Sequence, residues 1–268
     1  MNSANVDGVR LEYETHGSGE PVVLIHGSVL ADTYVPMLAE PSLDGYELVR
    51  YRRRGFGGST HPESVVSIRD QAMDCLALMR QLKVTRAHIA GHSYGGVIAL
   101  QLALDHPEVV HSLALLEPAL VGMIPNSAAF MQQIAPIVKQ YEQGDKRGAL
   151  DAFCTLTAGP NYREVIDRIP GAYEMALADT DNFFRIETSA LGEWHFARED
   201  AARIRQPVLA ILGADSAPVF HEIHELVQSW IPAARPATIP RVNHMLQASE
   251  PRAVAEVLAE FFARHPLR

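Results

Sequence analysis

The most informative segment of the chain reads Ala87-His88-Ile89-Ala90-Gly91-His92-Ser93-Tyr94-Gly95-Gly96. Its first four residues are typical of a buried strand, and a helical pattern begins near Val97. Between them stands Gly-x-Ser-x-Gly, in the strand, turn and helix context that this motif requires. The glycines leave room for a strained backbone at Ser93, because a side chain at position 91 or 95 would collide with its neighbours. Ser93 is therefore predicted to present its hydroxyl at the carboxyl edge of a sheet.

Short apolar runs alternate with helical patterns on both sides of this motif. Strands are predicted at 21–25, 46–51, 87–90, 112–116, 207–212 and 236–239, and helices at 68–82, 97–105, 222–230 and 252–264. The segment 9–14 alternates apolar with polar residues, which suits an exposed antiparallel edge strand. The order predicts an α/β protein with a mainly parallel sheet and helices on both faces.

Residues 120–204 break the alternation, because they contain helical patterns and prolines but no convincing strand. We predict a helical cap, or lid, over residues 120–204, inserted into a core formed by residues 1–119 and 205–268. We expect Phe183, Phe184 and Trp194 to line a pocket beneath it. An apolar lid would favour a small or medium hydrophobic substrate.

The composition limits the partners of the protein. The chain has 268 residues, with 23 Lys plus Arg against 32 Asp plus Glu and a net charge of -9, which disfavours nucleic acid and anionic lipid. Residues 1–5 resemble no signal peptide, and no run approaches the roughly 18 apolar residues of a membrane span. Cys75 and Cys154 cannot build a disulfide framework. We expect a cytoplasmic protein that acts without nucleic acid or membrane, and a homodimer is left open.

Over nearly its whole length the chain resembles the α/β-hydrolase family. Besides the serine motif, His26-Gly27 is similar to the oxyanion loop, Arg54-Gly55-Phe56-Gly57-Gly58-Ser59 to a second conserved loop, and Asn243-His244 to the position of the catalytic histidine. The resemblance implies an eight-stranded, mostly parallel sheet and a serine esterase or lactonase with a helical cap. The sequence departs from the family at Arg52, where many members carry aspartate, and we interpret the run 52–54 as loop structure with its own ion pairs.

A serine hydroxyl needs an imidazole to take its proton and a carboxylate to orient that imidazole. His244 is the preferred base, because a loop between a strand and the final helix can place it over the sheet edge. The backbone N–H groups of Ser28 and Tyr94 are the expected oxyanion hole. Gly27 and His92 are expected beside the substrate.

Two carboxylates compete for the role of the acid. Asp215 follows the strand that carries the acid in most of the family, but it comes one place before the usual position, where this chain has Ser216. Glu117 ends the strand after the nucleophile helix, where some members place their acid. Both side chains would emerge at the carboxyl edge of the sheet. We rank Glu117 first and Asp215 second.

No metal and no organic cofactor is expected, because no carboxylate or cysteine completes a ligand pattern around His221 and His224. The leading hypothesis is a hydrolase of esters or lactones that acts through an acyl-enzyme on Ser93. A carbon-carbon bond hydrolase of ring-cleavage products is an alternative, because the same triad serves it. A third hypothesis is a small-molecule receptor with slow turnover, since fold similarity alone does not determine function.

Overall fold

The computed structural model describes residues 1–267 and contains one eight-stranded sheet. The strands are β1 (Asn2–Val6), β2 (Val9–Gly17), β3 (Glu20–Ile25), β4 (Tyr46–Arg52), β5 (Ala87–His92), β6 (Val110–Leu116), β7 (Val208–Gly213) and β8 (Arg235–Ile239). Their order is β1-β2-β4-β3-β5-β6-β7-β8. β2 is antiparallel to both neighbours, and all the other pairs are parallel. The predicted α/β class, with its mostly parallel sheet, is confirmed.

Helices cover both faces of this sheet. They are α1 (Ile68–Gln81), α2 (Tyr94–Asp105), α3 (Ser127–Glu142), α4 (Lys146–Ala158), α5 (Tyr162–Ile166), α6 (Ala172–Ala178), α7 (Thr188–Glu193), α8 (Arg198–Ala201), α9 (Pro218–Trp230), α10 (Leu246–Ser249) and α11 (Pro251–Ala263). Val23 and Ile25 of β3 belong to an apolar cluster that includes residues of α1, α2 and α9, whereas Val22 and Leu24 belong to a second cluster that includes residues of α11. Because successive side chains of a strand point to opposite faces, burial on both sides explains its continuous apolar run.

The edge of the sheet was predicted wrongly. The strand expected at 9–14 is Val9–Gly17, which lies second from the edge, and Asn2–Val6 forms the edge itself. The alternation of apolar and polar residues shows which face of a strand is buried, but it does not show how many neighbouring strands there are. The edge strand escaped prediction because only Ala4 and Val6 of its five residues are buried.

Between β6 and β7 the chain forms helices and loops, and residues 117–207, all of which the structure describes, contain no strand. Helices α3 to α8 lie in this segment, with a π-helical turn at Asn182–Glu187. Part of the segment has its own apolar cluster, which includes Leu150, Tyr173 and Phe183. We call residues 118–207 the helical segment.

Among residues 1–267, none of the helices combines the length and the apolar character needed to cross a membrane.

Candidate active site

Ser93 occupies a sharp turn between β5 and α2. Its backbone has φ of 51° and ψ of -117°, a left-handed conformation that non-glycine residues rarely adopt. The turn is tight, because a Cβ atom at Gly91 would overlap the carbonyl oxygen of Gly95. Ser93 therefore stands at the carboxyl end of a buried strand and at the positive end of α2.

Glu117 and His244 meet beside this serine. Glu117 follows β6 and is 2% exposed, and its Oε2 lies 2.6 Å from Nδ1 of His244. Its Oε1 accepts hydrogen bonds from the backbone N–H of Gly213 at 2.7 Å and from Oγ of Ser216 at 2.6 Å. Because Nδ1 donates to the carboxylate, Nε2 of His244 is left as a proton acceptor. His244 and Ser93 line the same cavity.

Asp215, the second candidate for the acid, is not brought to His244. Its side chain is exposed and has no hydrogen-bond partner among residues 1–267, and only its backbone N–H is engaged, by the carbonyl of Val242 at 2.8 Å. The assignment of the acid to Asp215 is therefore corrected. Ser216, one residue further on, is buried and donates its hydroxyl to Glu117.

Two aromatic rings hold the histidine loop. The ring of Phe220 stacks on His244 with centroids 3.8 Å apart. His92 donates from Nε2 to the backbone carbonyl of His244 at 2.8 Å, and its burial holds the pKa of this ring well below the usual histidine value. His92 is thus a neutral group that fixes the backbone of the base. It lines a small cavity beside Ser93 and not the large one.

The two amide groups expected to form the oxyanion hole border the site. Ser28 and Tyr94 line the large cavity together with Ser93, and within the described chain neither backbone N–H has a hydrogen-bond partner. Gly27 lines neither cavity, but it lies against the nucleophile, because a Cβ atom there would be 3.0 Å from the Cβ of Ser93. The geometry can therefore supply two free donors beside the serine hydroxyl.

A cavity of about 330 Å³ opens from this site into the helical segment. Apolar side chains dominate its lining: Ala119, Val121, Phe130, Met131, Ile134, Phe153, Phe183, Leu191 and Phe220. A second cavity of about 30 Å³ opens on the side of His92 and is lined by Leu30, Cys154, Ala158 and Met245 among others. Ser28, Ser93 and His244 border both cavities, so the reacting atoms would lie where a large and a very small space meet.

Only one of the three aromatic residues predicted for the pocket lines it. Phe183 faces the large cavity, whereas Phe184 stacks on Tyr141 with centroids 4.5 Å apart. Trp194 belongs to the core, where its indole N–H donates to Oε1 of Gln101 at 2.7 Å. The predictions for Phe184 and Trp194 are therefore wrong. Phe184 is the helical neighbour of Phe183 and points to a different side, and Trp194 follows α7 in an extended conformation and packs in the core.

The arginine run 52–54 forms ion pairs, as predicted, but only Arg53 and Arg54 lie in a loop, because Arg52 is the last residue of β4. Arg52 lies 2.7 Å from Asp32, and Arg54 lies 2.6 Å from Asp74. Arg53 is different, because it is 1% exposed and lies 2.6 Å from Glu187 of the helical segment. Sequence reasoning missed this buried pair, since nothing near either residue in the sequence indicates the other.

The part of the chain that the structure describes contains no group of three or more His, Cys, Asp or Glu side chains arranged to hold a metal ion.

Comparisons with known proteins identify the family and the fold. Residues 20–251 match the family model described as the alpha/beta hydrolase fold. The chain is 26% identical to a protein of Azorhizobium caulinodans that is provisionally named carbamate hydrolase RutD. The similarity extends over 264 residues, which are 94% of this chain and 94% of the relative.

Two solved structures share the architecture. Est816, described as an N-acyl homoserine lactone degrading enzyme, is 25% identical with a TM-score of 0.75, over 97% of this chain and 100% of its own. A thermophilic esterase from Thermogutta terrifontis has a TM-score of 0.81 at 21% identity, over 99% of both chains. The match to the family model spans most of the chain, so the protein belongs to the alpha/beta hydrolase fold family.

Proposed function

We propose that the protein is a serine hydrolase that cleaves an ester or lactone through an acyl-enzyme. The observation that carries the proposal is the contact between Nδ1 of His244 and Oε2 of Glu117, 2.6 Å apart and next to a serine held at positive φ. This arrangement leaves an imidazole nitrogen available to a nucleophile at a cavity wall. Similarity to Est816 at 25% identity supports a lactone or ester as the substrate.

The reaction follows from these positions. Ser93 Oγ attacks the carbonyl carbon while its proton moves to Nε2 of His244, and Glu117 stabilises the imidazolium. The carbonyl oxygen takes the negative charge and accepts hydrogen bonds from the N–H groups of Ser28 and Tyr94. The bond to the leaving oxygen then breaks, and His244 returns the proton to that oxygen. Water repeats the sequence on the acyl-enzyme and releases the acid.

The two cavities suggest the shape of the substrate. The larger space, about 330 Å³ and mostly apolar, would take a medium-sized hydrophobic group. The smaller space, about 30 Å³, admits a group about the size of one water molecule. We therefore propose a substrate that is bulky and apolar on one side of the scissile carbonyl and compact on the other. The helical segment would act as the cap that encloses the bulky side.

The test is the intact mass of the protein after incubation with a fluorophosphonate, beside turnover of p-nitrophenyl acetate, p-nitrophenyl butyrate and an N-acyl homoserine lactone. Wild type should gain one adduct and turn over at least one substrate. Ser93→Ala should lose both. The matched control is Ser189→Ala, because Ser189 is an exposed serine of the helical segment that lines neither cavity.

An adduct that survives in Ser93→Ala would refute the assignment of the nucleophile. A protein with neither adduct nor turnover would contradict catalysis and favour the receptor hypothesis. Turnover of dienone ring-cleavage products in preference to esters would instead favour carbon-carbon bond hydrolysis by the same residues.

A further inference from the structure

Arg53 is a buried cation beneath the loop that carries Ser28. It is 1% exposed, and its guanidinium reaches three acceptors at once. Nε donates to the carbonyl of His26 at 3.1 Å, Nη2 to the carbonyl of Gly27 at 2.8 Å, and Nη1 to Oε1 of Gln71 at 2.5 Å. A planar fork of donors that is engaged at three points has little freedom to turn.

The carbonyl of Gly27 receives a second hydrogen bond. Nδ1 of His26 lies 2.8 Å from it, and Nε2 of the same ring accepts the backbone N–H of Arg53 at 3.0 Å. Because Nε2 accepts, the proton of the neutral ring is on Nδ1, which therefore donates to Gly27. Burial and the Arg53 charge hold the pKa of His26 well below its usual value, which keeps the ring neutral. Two donors thus fix one carbonyl.

This carbonyl belongs to the same peptide unit as the N–H of Ser28. Residues 1–267 contain no cis peptide bond, and in a planar trans peptide the C=O and N–H point in opposite directions. Holding the Gly27 carbonyl on Arg53 therefore turns the Ser28 N–H away from the arginine. Gly27 lies against Ser93, and Ser28 borders both cavities, so this N–H is on the side of the reacting atoms.

Glu187 supplies the charge that Arg53 needs in this interior. Its Oε1 lies 2.6 Å from Nη2 of Arg53, and both side chains are 1% exposed. Within the described chain the carboxylate oxygens of Glu187 make no hydrogen bond of good geometry, and the polar groups that face them are the guanidinium of Arg53 and the hydroxyl of Ser28. Because Glu187 ends the π-helical turn, the helical segment provides the counter-ion for a residue beneath the oxyanion loop.

We infer that Arg53 is a positioning residue for the oxyanion hole, fixing and polarising the Gly27–Ser28 peptide, with Glu187 of the helical segment as its counter-ion. The inference rests on the proposed serine hydrolysis. Arg53 acts through the peptide and does not touch the substrate, since it lines neither cavity.

The effect should appear in the transition state and not in substrate binding. Removal of one oxyanion donor costs about 10²–10³ in kcat in serine hydrolysis, and a misaligned donor should cost part of this. We expect Arg53→Lys and the double variant Arg53→Met/Glu187→Gln to lower kcat by roughly ten- to a hundredfold, with KM changed by less than about threefold. The double variant leaves neither charge alone in the interior.

The decisive measurement compares p-nitrophenyl butyrate with its thionoester, in which sulfur replaces the carbonyl oxygen. Sulfur accepts hydrogen bonds weakly, so the thionoester depends little on the hole. Both Arg53 variants should lose ester activity while keeping thionoester activity, so that the ester-to-thionoester ratio falls at least about tenfold. Gln71→Leu, which loosens the guanidinium without removing charge, should lower the ratio in the same direction by a smaller factor.

Arg54→Lys is the matched control, because Arg54 is paired with Asp74 away from the hole. It should leave the ratio unchanged. Equal losses for ester and thionoester in the Arg53 variants, or an unchanged ratio in Gln71→Leu, would overturn the inference and leave Arg53 as a purely structural residue. If wild-type protein forms no Ser93 adduct and turns over neither compound, the proposed function fails instead, and the two failures are distinguishable.

Discussion

Two buried glutamates flank the serine, and they are held in opposite ways. Glu117, at the end of a sheet strand, is 2% exposed and receives donors from His244, Gly213 and Ser216 within 2.7 Å. Glu187, in the helical segment, is 1% exposed and has one ion pair, with no aligned hydrogen bond in residues 1–267. Burial raises the pKa of Glu187 above its usual value, although Arg53 opposes the rise.

The difference separates two uses of a buried carboxylate. Hydrogen bonds from several fixed donors hold a carboxylate in one orientation, which suits a group that must orient an imidazole. A carboxylate that is held mainly by a neighbouring charge, as Glu187 is by Arg53, compensates that charge without a comparable orientation. The core thus carries Glu117, which must keep one orientation, and the helical segment carries Glu187, which compensates the charge of Arg53.

The largest effect is expected from removing the charge of Glu117, the glutamate at the end of the sheet strand. Glu117→Gln keeps the shape of the side chain but removes the charge that stabilises the imidazolium and selects the tautomer of His244. We expect kcat to fall by about 10³–10⁴, with KM changed little. The measurement is steady-state turnover of p-nitrophenyl butyrate.

Asp215→Asn is the matched control and should change kcat by less than about twofold, because Asp215 is exposed and does not contact His244. A loss in Asp215→Asn comparable to that in Glu117→Gln would contradict the assignment of the acid. The double variant Glu117→Ala/Ser216→Asp should recover at least about tenfold over Glu117→Ala. The recovery is expected because Oγ of Ser216 lies only 2.6 Å from the Glu117 carboxylate.

A smaller effect is expected from the cavity wall in the helical segment. Phe183→Ala removes an aromatic ring from the large cavity and should shift the preference among p-nitrophenyl esters toward longer acyl chains by about tenfold. Phe184→Ala should shift the preference by a smaller factor, because Phe184 stacks on Tyr141 and reaches the cavity only through its edge contact with Phe183. Relative kcat/KM values for acetate, butyrate and octanoate test the pair. The same shift in both variants would contradict the assignment of Phe183 to the cavity wall and would indicate that either substitution loosens the packing of the helical segment.

The sheet side of the site could be predicted from sequence, because its signals are local. Ser93 stands in a six-residue motif between a strand and a helix, and His244 follows the last strand. Glu117 could be ranked first because it ends the strand after the nucleophile helix, where some family members place their acid, and because Asp215 comes one place before the usual position. The exposure of Asp215 could not be predicted, because it depends on the course of the loop after β7.

The contribution of the helical segment to the site could not be predicted from the sequence, for physical reasons. Phe183 and Phe184 lie in a π-helical turn, Asn182–Glu187, which shifts the phase of the helix by about one residue, so spacing could not show which ring faces the cavity. The pair of Arg53 and Glu187 joins two distant segments, and neither has a local pattern that points to the other. Such contacts depend on how the helical segment docks on the sheet.

The smallest effect on kcat is expected from Glu187→Gln, which removes the charge of the glutamate in the helical segment. Glutamine keeps an oxygen near Arg53, so we expect kcat to change by less than about threefold. The stability should respond to pH. Folding raises the pKa of Glu187, so the protonated side chain stabilises the folded state of wild type at low pH. This stabilisation is lost as the pH rises through the pKa of the folded state. The variant has no such group, so its free energy of unfolding relative to wild type should increase over this range.

The measurement is urea unfolding of both proteins at a series of pH values from 4 upward. The relative gain of Glu187→Gln should accumulate at about 1.4 kcal/mol for each unit by which the pKa is raised. Glu193→Gln, at an exposed position in α7, is the control and should run parallel to wild type. A relative stability of Glu187→Gln that falls as pH rises would mean that Arg53 outweighs burial. The folded protein would then favour the ionised form of Glu187, and its description as a carboxylate whose pKa is raised by burial would be refuted.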